Sequence, residues 1–105
     1  MDLHGKKLGL VVSCGPEGAN FSRALSLVET ALKRGVTVYL YCLDDAVTGL
    51  NSPRLHKLRN GGVKLFACAL AAQRRQIPFD ESATFAGLTA INEMIASTDR
   101  FLSFN

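Results

Sequence analysis

Short apolar segments alternate with segments of helical periodicity along this sequence. Residues 8–13 form a continuous apolar stretch, which is typical of a strand covered on both faces in a parallel sheet. Over residues 21–32 apolar side chains recur at helical spacing, with Asn20 as the expected cap and Gly35 as the expected stop. Residues 36–41 are rich in β-branched and aromatic types and predict the next strand. This part of the chain therefore predicts a β-α-β unit.

The same alternation continues to the C-terminus. Ser52 and Pro53 are the residue types preferred just before a helix and at its first position. The further predicted elements are, in chain order, a helix at 53–59, a strand at 63–67, a helix at 68–75, a weak strand at 84–86, an amphipathic helix marked by Leu88, Ile91 and Ile95, and a strand at 101–104. The alternation predicts one α/β domain over residues 1–105. We expect a three-layer α/β/α sandwich with a mostly parallel sheet of about five strands, because right-handed crossovers place helices on both faces.

The composition agrees with a globular domain. With 48% hydrophobic and 20% charged residues among 105, the chain has enough apolar surface for a core, and the disordered class is excluded. The longest apolar run is too short for a membrane span, and the N-terminal residues lack a signal-peptide pattern. The net charge of +3 comes from dispersed basic residues, with two tyrosines and no tryptophan. We therefore expect neither a membrane span nor a nucleic-acid partner.

Three cysteines each follow or end a predicted strand. Their odd number, wide spacing and lack of a C-x-x-C pair disfavour a secreted disulfide framework and favour a reducing cytoplasm. Because the carboxyl ends of parallel strands meet at one edge of a sheet, Cys14, Cys42 and Cys68 should share that edge. Cys14 and Cys42 are small apolar residues that suit core or loop packing. They could act as auxiliary thiols if they approach Cys68.

Cys68 is the predicted catalytic residue because it stands where a strand passes into a helix. Unpaired backbone N–H groups and the positive end of a helix dipole face such a position. Both favour the thiolate, which is the nucleophilic form of cysteine. Arg74 and Arg75 lie about 9–10 Å further along the helix axis. We expect them to balance the helix C-terminus rather than to contact the sulfur.

Other kinds of site are less well supported by the sequence. A metal site built from the three cysteines lacks zinc-type spacing, and neither His4 nor His56 is an evident fourth ligand. The turn at 15–18 lacks the glycine patterns of phosphate-binding loops. Asp44 and Asp45 are adjacent and point in different directions in extended chain, so a carboxylate pair is not expected. The sequence therefore favours thiol chemistry at Cys68 over these other kinds of site.

Residues 62–77, with the Ala-Cys pair at the end of a strand, resemble the DsrE/DsrF-like sulfur-relay family. The opening strand with its Gly-Pro-Glu turn, residues 31–36 and residues 92–101 are also similar to that family, so the resemblance covers nearly the whole chain. The Ala-Cys pair carries most of the specificity. The rest is mainly the α/β pattern.

The resemblance implies cytoplasmic sulfur relay, with Cys68 carrying sulfane sulfur as a persulfide and passing it to an acceptor thiol. It implies no cofactor, sulfur donor and acceptor proteins as partners, and assembly into homo-oligomers or with related subunits. It assigns no role to Cys14 or Cys42, and it leaves open whether transfer is true sulfurtransferase catalysis or stoichiometric carriage. The alternative is a non-enzymatic oligomeric binding or regulatory subunit in which Cys68 is inert.

Overall fold

An all-parallel β-sheet forms the centre of the computed structural model, which describes residues 2–105. Its five strands are β1 (Lys7–Val12), β2 (Thr37–Cys42), β3 (Lys64–Cys68), β4 (Thr84–Ala86) and β5 (Arg100–Phe104). They lie in the order β4-β3-β2-β1-β5. The predicted α/β sandwich with a mostly parallel sheet is confirmed.

The helices are placed by the direction of the crossovers between strands. They are α1 (Ala19–Lys33), a 3₁₀ helix (Asp44–Gly49), α2 (Pro53–Asn60), α3 (Ala69–Arg74) and α4 (Thr89–Ser97). The first three crossovers step along the sheet in one direction, and the last returns from one edge to the other. Right-handed crossovers therefore place α1, α2 and α3 on one face of the sheet and α4 on the opposite face. Within residues 2–105 no helix has the length and apolar character needed to cross a membrane.

The start of α1 differs from the prediction that Asn20 caps it. The N-cap is Gly18, whose backbone is extended and which has no side-chain cap. Asn20 lies inside the first turn, where its amide donates to the backbone carbonyl of Asn105 (2.8 Å) and its side-chain oxygen accepts from Arg23 (2.9 Å). Asn20 therefore ties α1 to the end of β5.

The start of α2 is as predicted, and a charged contact joins this helix to α1. The Ser52 hydroxyl accepts a hydrogen bond from the backbone N–H of Arg54 (3.2 Å). The Arg54 guanidinium then donates to both carboxylate oxygens of Glu29 (2.9 and 2.8 Å) and to the hydroxyls of Ser22 and Ser26. Hydrogen bonding to Arg54 lowers the pKa of the Glu29 carboxyl. The pair joins the two helices on this face.

The core between the sheet and α1 is built from alternate residues of the central strands. The most deeply buried side chains on this side include Leu10, Val12, Val38, Leu40, Leu25 and Val28. On the other face, α4 packs through Met94 against Gly9, where a Cβ atom would lie 3.1 Å from Met94 and 2.9 Å from Phe101. The predicted apolar stripe of α4 is wrong in part, because Leu88 and Ile95 are 59% and 48% exposed. Met94 is the buried residue of α4 because its side chain fills the space over Gly9.

Candidate functional site

The carboxyl edge of the sheet carries all three cysteines. Cys42 and Cys68 are the last residues of β2 and β3, and Cys14 follows the end of β1 by two residues. All three are free thiols. The three cysteines therefore lie at the edge of the sheet where the sequence predicted them. Their surroundings differ.

Cys42 and Cys68 lie on opposite faces of the sheet. Cys42 pairs with Ala67 in the parallel register, so these two side chains share a face and the next residue, Cys68, projects from the other. Cys42 is only 1% exposed. Burial raises the pKa of the Cys42 thiol to about 12. Cys42 is thus a protonated core thiol, which makes it a poor auxiliary for Cys68.

Cys14 is partly exposed but belongs to the wrong strand for a direct bond to Cys68. Strand β2 lies between β1 and β3, so the two backbones are separated by two strand spacings, or about 9–10 Å. A disulfide requires Cα atoms within about 7 Å of each other. Pairing of Cys14 with Cys68 would need a movement of the loop after β1.

Cys68 occupies the strand-to-helix junction that the sequence predicted. It is the N-cap of α3, with an extended backbone (φ −68°, ψ 117°), and its sulfur accepts a hydrogen bond from the Ala71 N–H at 3.4 Å. An N–H donor of this kind stabilises a sulfur that carries negative charge. Cys68 is 5% exposed, and it lines a cleft at the surface.

Tyr41 is a neighbour of Cys68 that the sequence did not reveal. It pairs with Phe66 in the register and so projects from the same face as Cys68. Its buried hydroxyl donates to the carbonyls of Ala86 (3.1 Å) and Gly87 (3.3 Å), and Ala86 is the cross-strand partner of Cys68. Burial, together with the nearby Cys68, raises the pKa of Tyr41. The phenol therefore stays protonated and donates its O–H to the end of β4, beside Cys68.

A cleft of about 850 Å³ opens in front of Cys68. Its lining comes from the carboxyl ends of β2 and β4 and from one side of α3; it comprises Leu43, Asp44, Cys68, Leu70, Ala71, Arg74, Arg75, Gly87 and Leu88. The volume lies within the range of small-molecule sites, which are about 300–1,000 Å³. The cleft is large enough for a ligand beside the sulfur.

Arg74 and Arg75 line this cleft in addition to ending α3. Helix side chains incline toward the N-terminus, which turns these two toward the cysteine end. The Arg75 guanidinium bonds back to the Ala71 carbonyl (3.2 Å) and to the Asp45 carboxylate (2.8 Å). The expectation that both arginines serve only the helix C-terminus is therefore incomplete.

Among residues 2–105 no group of three or more His, Cys, Asp or Glu side chains is arranged to hold a metal ion.

Comparison with known proteins identifies the family. The model of the DsrE/DsrF-like family matches residues 6–104. The chain belongs to the DsrE/DsrF-like family. The crystal structure of the YchN protein from E. coli superposes with a TM-score of 0.82 at 20% sequence identity, covering 94% of this chain and 99% of that one, which shows a shared fold. A search of curated proteins gives no significant match. Family membership suggests a role in sulfur relay.

Proposed function

We propose that this protein carries sulfane sulfur as a persulfide on Cys68 and passes it to an acceptor thiol. The observation that carries the proposal is the Cys68 sulfur itself, which ends β3, accepts the Ala71 N–H and opens on a cleft of small-molecule size. Family membership gives independent support for sulfur chemistry. Neither other cysteine combines these features.

The transfer is a thiol–persulfide exchange in two balanced steps. First, the Cys68 thiolate attacks the outer sulfur of a donor persulfide; the donor S–S bond breaks, and the donor thiolate leaves and takes up a proton. Second, an acceptor thiolate attacks the outer sulfur of the Cys68 persulfide, and the Cys68 thiolate is released. Each step exchanges one S–S bond for another. The exchange therefore requires no metal, organic cofactor or external oxidant.

The surroundings of Cys68 support both steps. The Ala71 N–H stabilises the sulfur when it is the attacking thiolate and again when it is the leaving thiolate. The enclosure of Cys68 limits access to groups that fit the cleft. Solvent nucleophiles and oxidants therefore have restricted access to a bound persulfide.

Intact-mass measurement tests the proposal. Incubation with inorganic polysulfide should add the mass of one or more sulfur atoms, and a dithiol reductant should remove it. The adduct should be absent from Cys68→Ser and retained in Cys42→Ser, which is the matched control at the neighbouring strand end. An adduct that persists in Cys68→Ser, or its absence from the unaltered protein, contradicts the proposal.

An oligomeric binding or regulatory subunit with an inert Cys68 is the second candidate. It is favoured by the deep burial of Cys68 and by exposed large apolar side chains at Leu70, Phe79, Leu88, Ile95 and Leu102, which suit contacts with copies or related subunits. Its mark is a Cys68 that resists alkylation in the folded protein. Partner capture that is unchanged in Cys68→Ser would favour this candidate over persulfide carriage.

A further inference from the structure

Three charged residues line the Cys68 cleft, and they differ in whether they have a partner. Arg75 and Asp45 bond to each other at 2.8 Å. Arg74 and Asp44 also line the cleft, and within residues 2–105 neither side chain makes a hydrogen bond or an ion pair. One cation and one anion are therefore available to a ligand in this cleft.

The two free charges of the cleft come from different elements of the fold. Asp44 opens the 3₁₀ helix just after β2 and has a left-handed backbone conformation (φ 49°). A non-glycine residue in this region is strained, and such residues cluster at functional sites. Arg74 lies on α3, the helix that Cys68 caps. A ligand that reaches the sulfur thus has an anion offered by one element and a cation offered by another.

The remaining lining favours a small ligand. Leu43, Leu70 and Leu88 contribute apolar surface, which lowers the local dielectric and strengthens contacts to the two charges. We propose that the sulfur donor is a small zwitterionic persulfide, one whose ammonium group contacts Asp44 and whose carboxylate contacts Arg74 while its outer sulfur meets Cys68. This inference rests on the proposed function and specifies its substrate class. The covalent step is the first exchange described above.

Three donors that differ by one charged group test the inference. Cysteine persulfide carries both groups, N-acetylcysteine persulfide lacks the ammonium, and cysteamine persulfide lacks the carboxylate. The rate at which Cys68 gains sulfur, followed by intact mass at limiting donor, should be highest with cysteine persulfide. Each missing group should lower that rate by up to about fivefold, the upper end of the range for a solvent-exposed charge contact.

Variants assign each contact to a residue. Arg74→Gln should slow loading from the two donors that carry a carboxylate and leave the cysteamine donor unaffected. Asp44→Asn should slow loading from the two donors that carry an ammonium and leave the N-acetylcysteine donor unaffected. The matched controls are Arg34→Gln, which lines a different cavity, and Glu93→Gln on α4; neither should change the order of the donors.

The outcomes separate this inference from the proposed function. Equal rates for the three donors, or an equal loss for all three in Arg74→Gln or Asp44→Asn, overturn the inference while loading from inorganic polysulfide upholds the persulfide carrier. Failure of every donor, inorganic polysulfide included, to modify Cys68 overturns both. If Arg74→Gln slows only the donors with a carboxylate and Asp44→Asn slows only the donors with an ammonium, the inference and the proposed function are both supported.

Discussion

Tyr41 and Cys68 project from the same face of the sheet on the neighbouring strands β2 and β3. The Tyr41 hydroxyl reaches past β3 to the carbonyl of Ala86, which is the residue paired with Cys68 on β4. The sulfur therefore lies beside a buried O–H group as well as at the start of α3. Sequence order separates the two residues widely, and the parallel register alone brings them together.

Replacement of Tyr41 by Phe should lower the stability of the fold. Loss of the hydroxyl removes a hydrogen bond to the backbone at Ala86 and Gly87 that is worth about 1 kcal/mol, and Tm should fall by about 4–8 °C. Thermal unfolding measures the effect. Tyr39→Phe on the same strand is the control, and equal Tm values for the two variants would show that the Tyr41 hydroxyl contributes nothing measurable.

Cys42 should make the fold sensitive to alkali. Burial raises its pKa to about 12, above the ordinary value of about 8.5. A group whose pKa is raised by folding contributes stability that is complete below the unfolded value and is lost as the pH rises toward the folded value. Urea unfolding at pH 8 to 11 should show a fall of up to about 1.4 kcal/mol per pH unit from this thiol. Cys42→Ala should have a lower free energy of unfolding at pH 8 and a shallower decline as the pH rises. If the free energies of the two proteins fall in parallel with pH, the loss of stability does not come from Cys42.

The Arg54–Glu29 pair should contribute modestly to stability at neutral pH. Both side chains are about one-third exposed (34% and 38%), so we expect Arg54→Gln to cost about 0.5–1 kcal/mol at low salt, less at high salt. The pKa of Glu29 is lowered by Arg54. The contribution is therefore present above the unfolded value near pH 4 and is lost as the pH falls through the folded value.

Denaturant unfolding of Arg54→Gln, Glu29→Gln and the double variant measures this coupling. Arg59→Gln, an exposed residue on the same helix, serves as the control. Additive effects of the two single changes at pH 7 would mean that the contact contributes nothing measurable.

Gly9→Ala should destabilise the packing of α4. An added Cβ would lie 2.9 Å from Phe101 and 3.1 Å from Met94, so one of these side chains must shift. Overpacking of this kind costs about 1–3 kcal/mol. Gly87→Ala is the matched control because a Cβ there meets nothing within 4 Å. A comparison of Tm values suffices, and equal Tm values for the two variants would show that α4 adjusts freely.

Hydrophobic periodicity and the residues that begin or end helices predicted most of the fold. The alternation of strands and helices identified every strand, and Ser52 with Pro53 correctly marked the start of α2. Local signals failed where distant residues compete. Asn20 binds the carbonyl of Asn105 instead of capping α1, and the space above Gly9 selects Met94 over more apolar positions of α4.

The candidate site was predictable as far as Cys68, because a cysteine between a strand and a helix is a local pattern. Its neighbours depend on the strand order. Tyr41 is relevant only because β2 lies beside β3, and Asp44 enters the cleft only because β2 and β3 end at the same level. Arg74 and Asp44 are the unpaired charges of the cleft because Arg75 and Asp45 bond to each other. No spacing in the sequence predicts which of these residues pair.

The position of β5 beside β1 has a consequence for folding. Strand β1 is the first strand in the chain, and β5, the last, is its partner on one side. Until β5 is in place, β1 is therefore an edge strand of the sheet. An unpaired edge is a template for association with other chains. A nascent or C-terminally truncated chain would expose β1 as such an edge, so aggregation during synthesis should depend on how soon residues 100–104 emerge and dock.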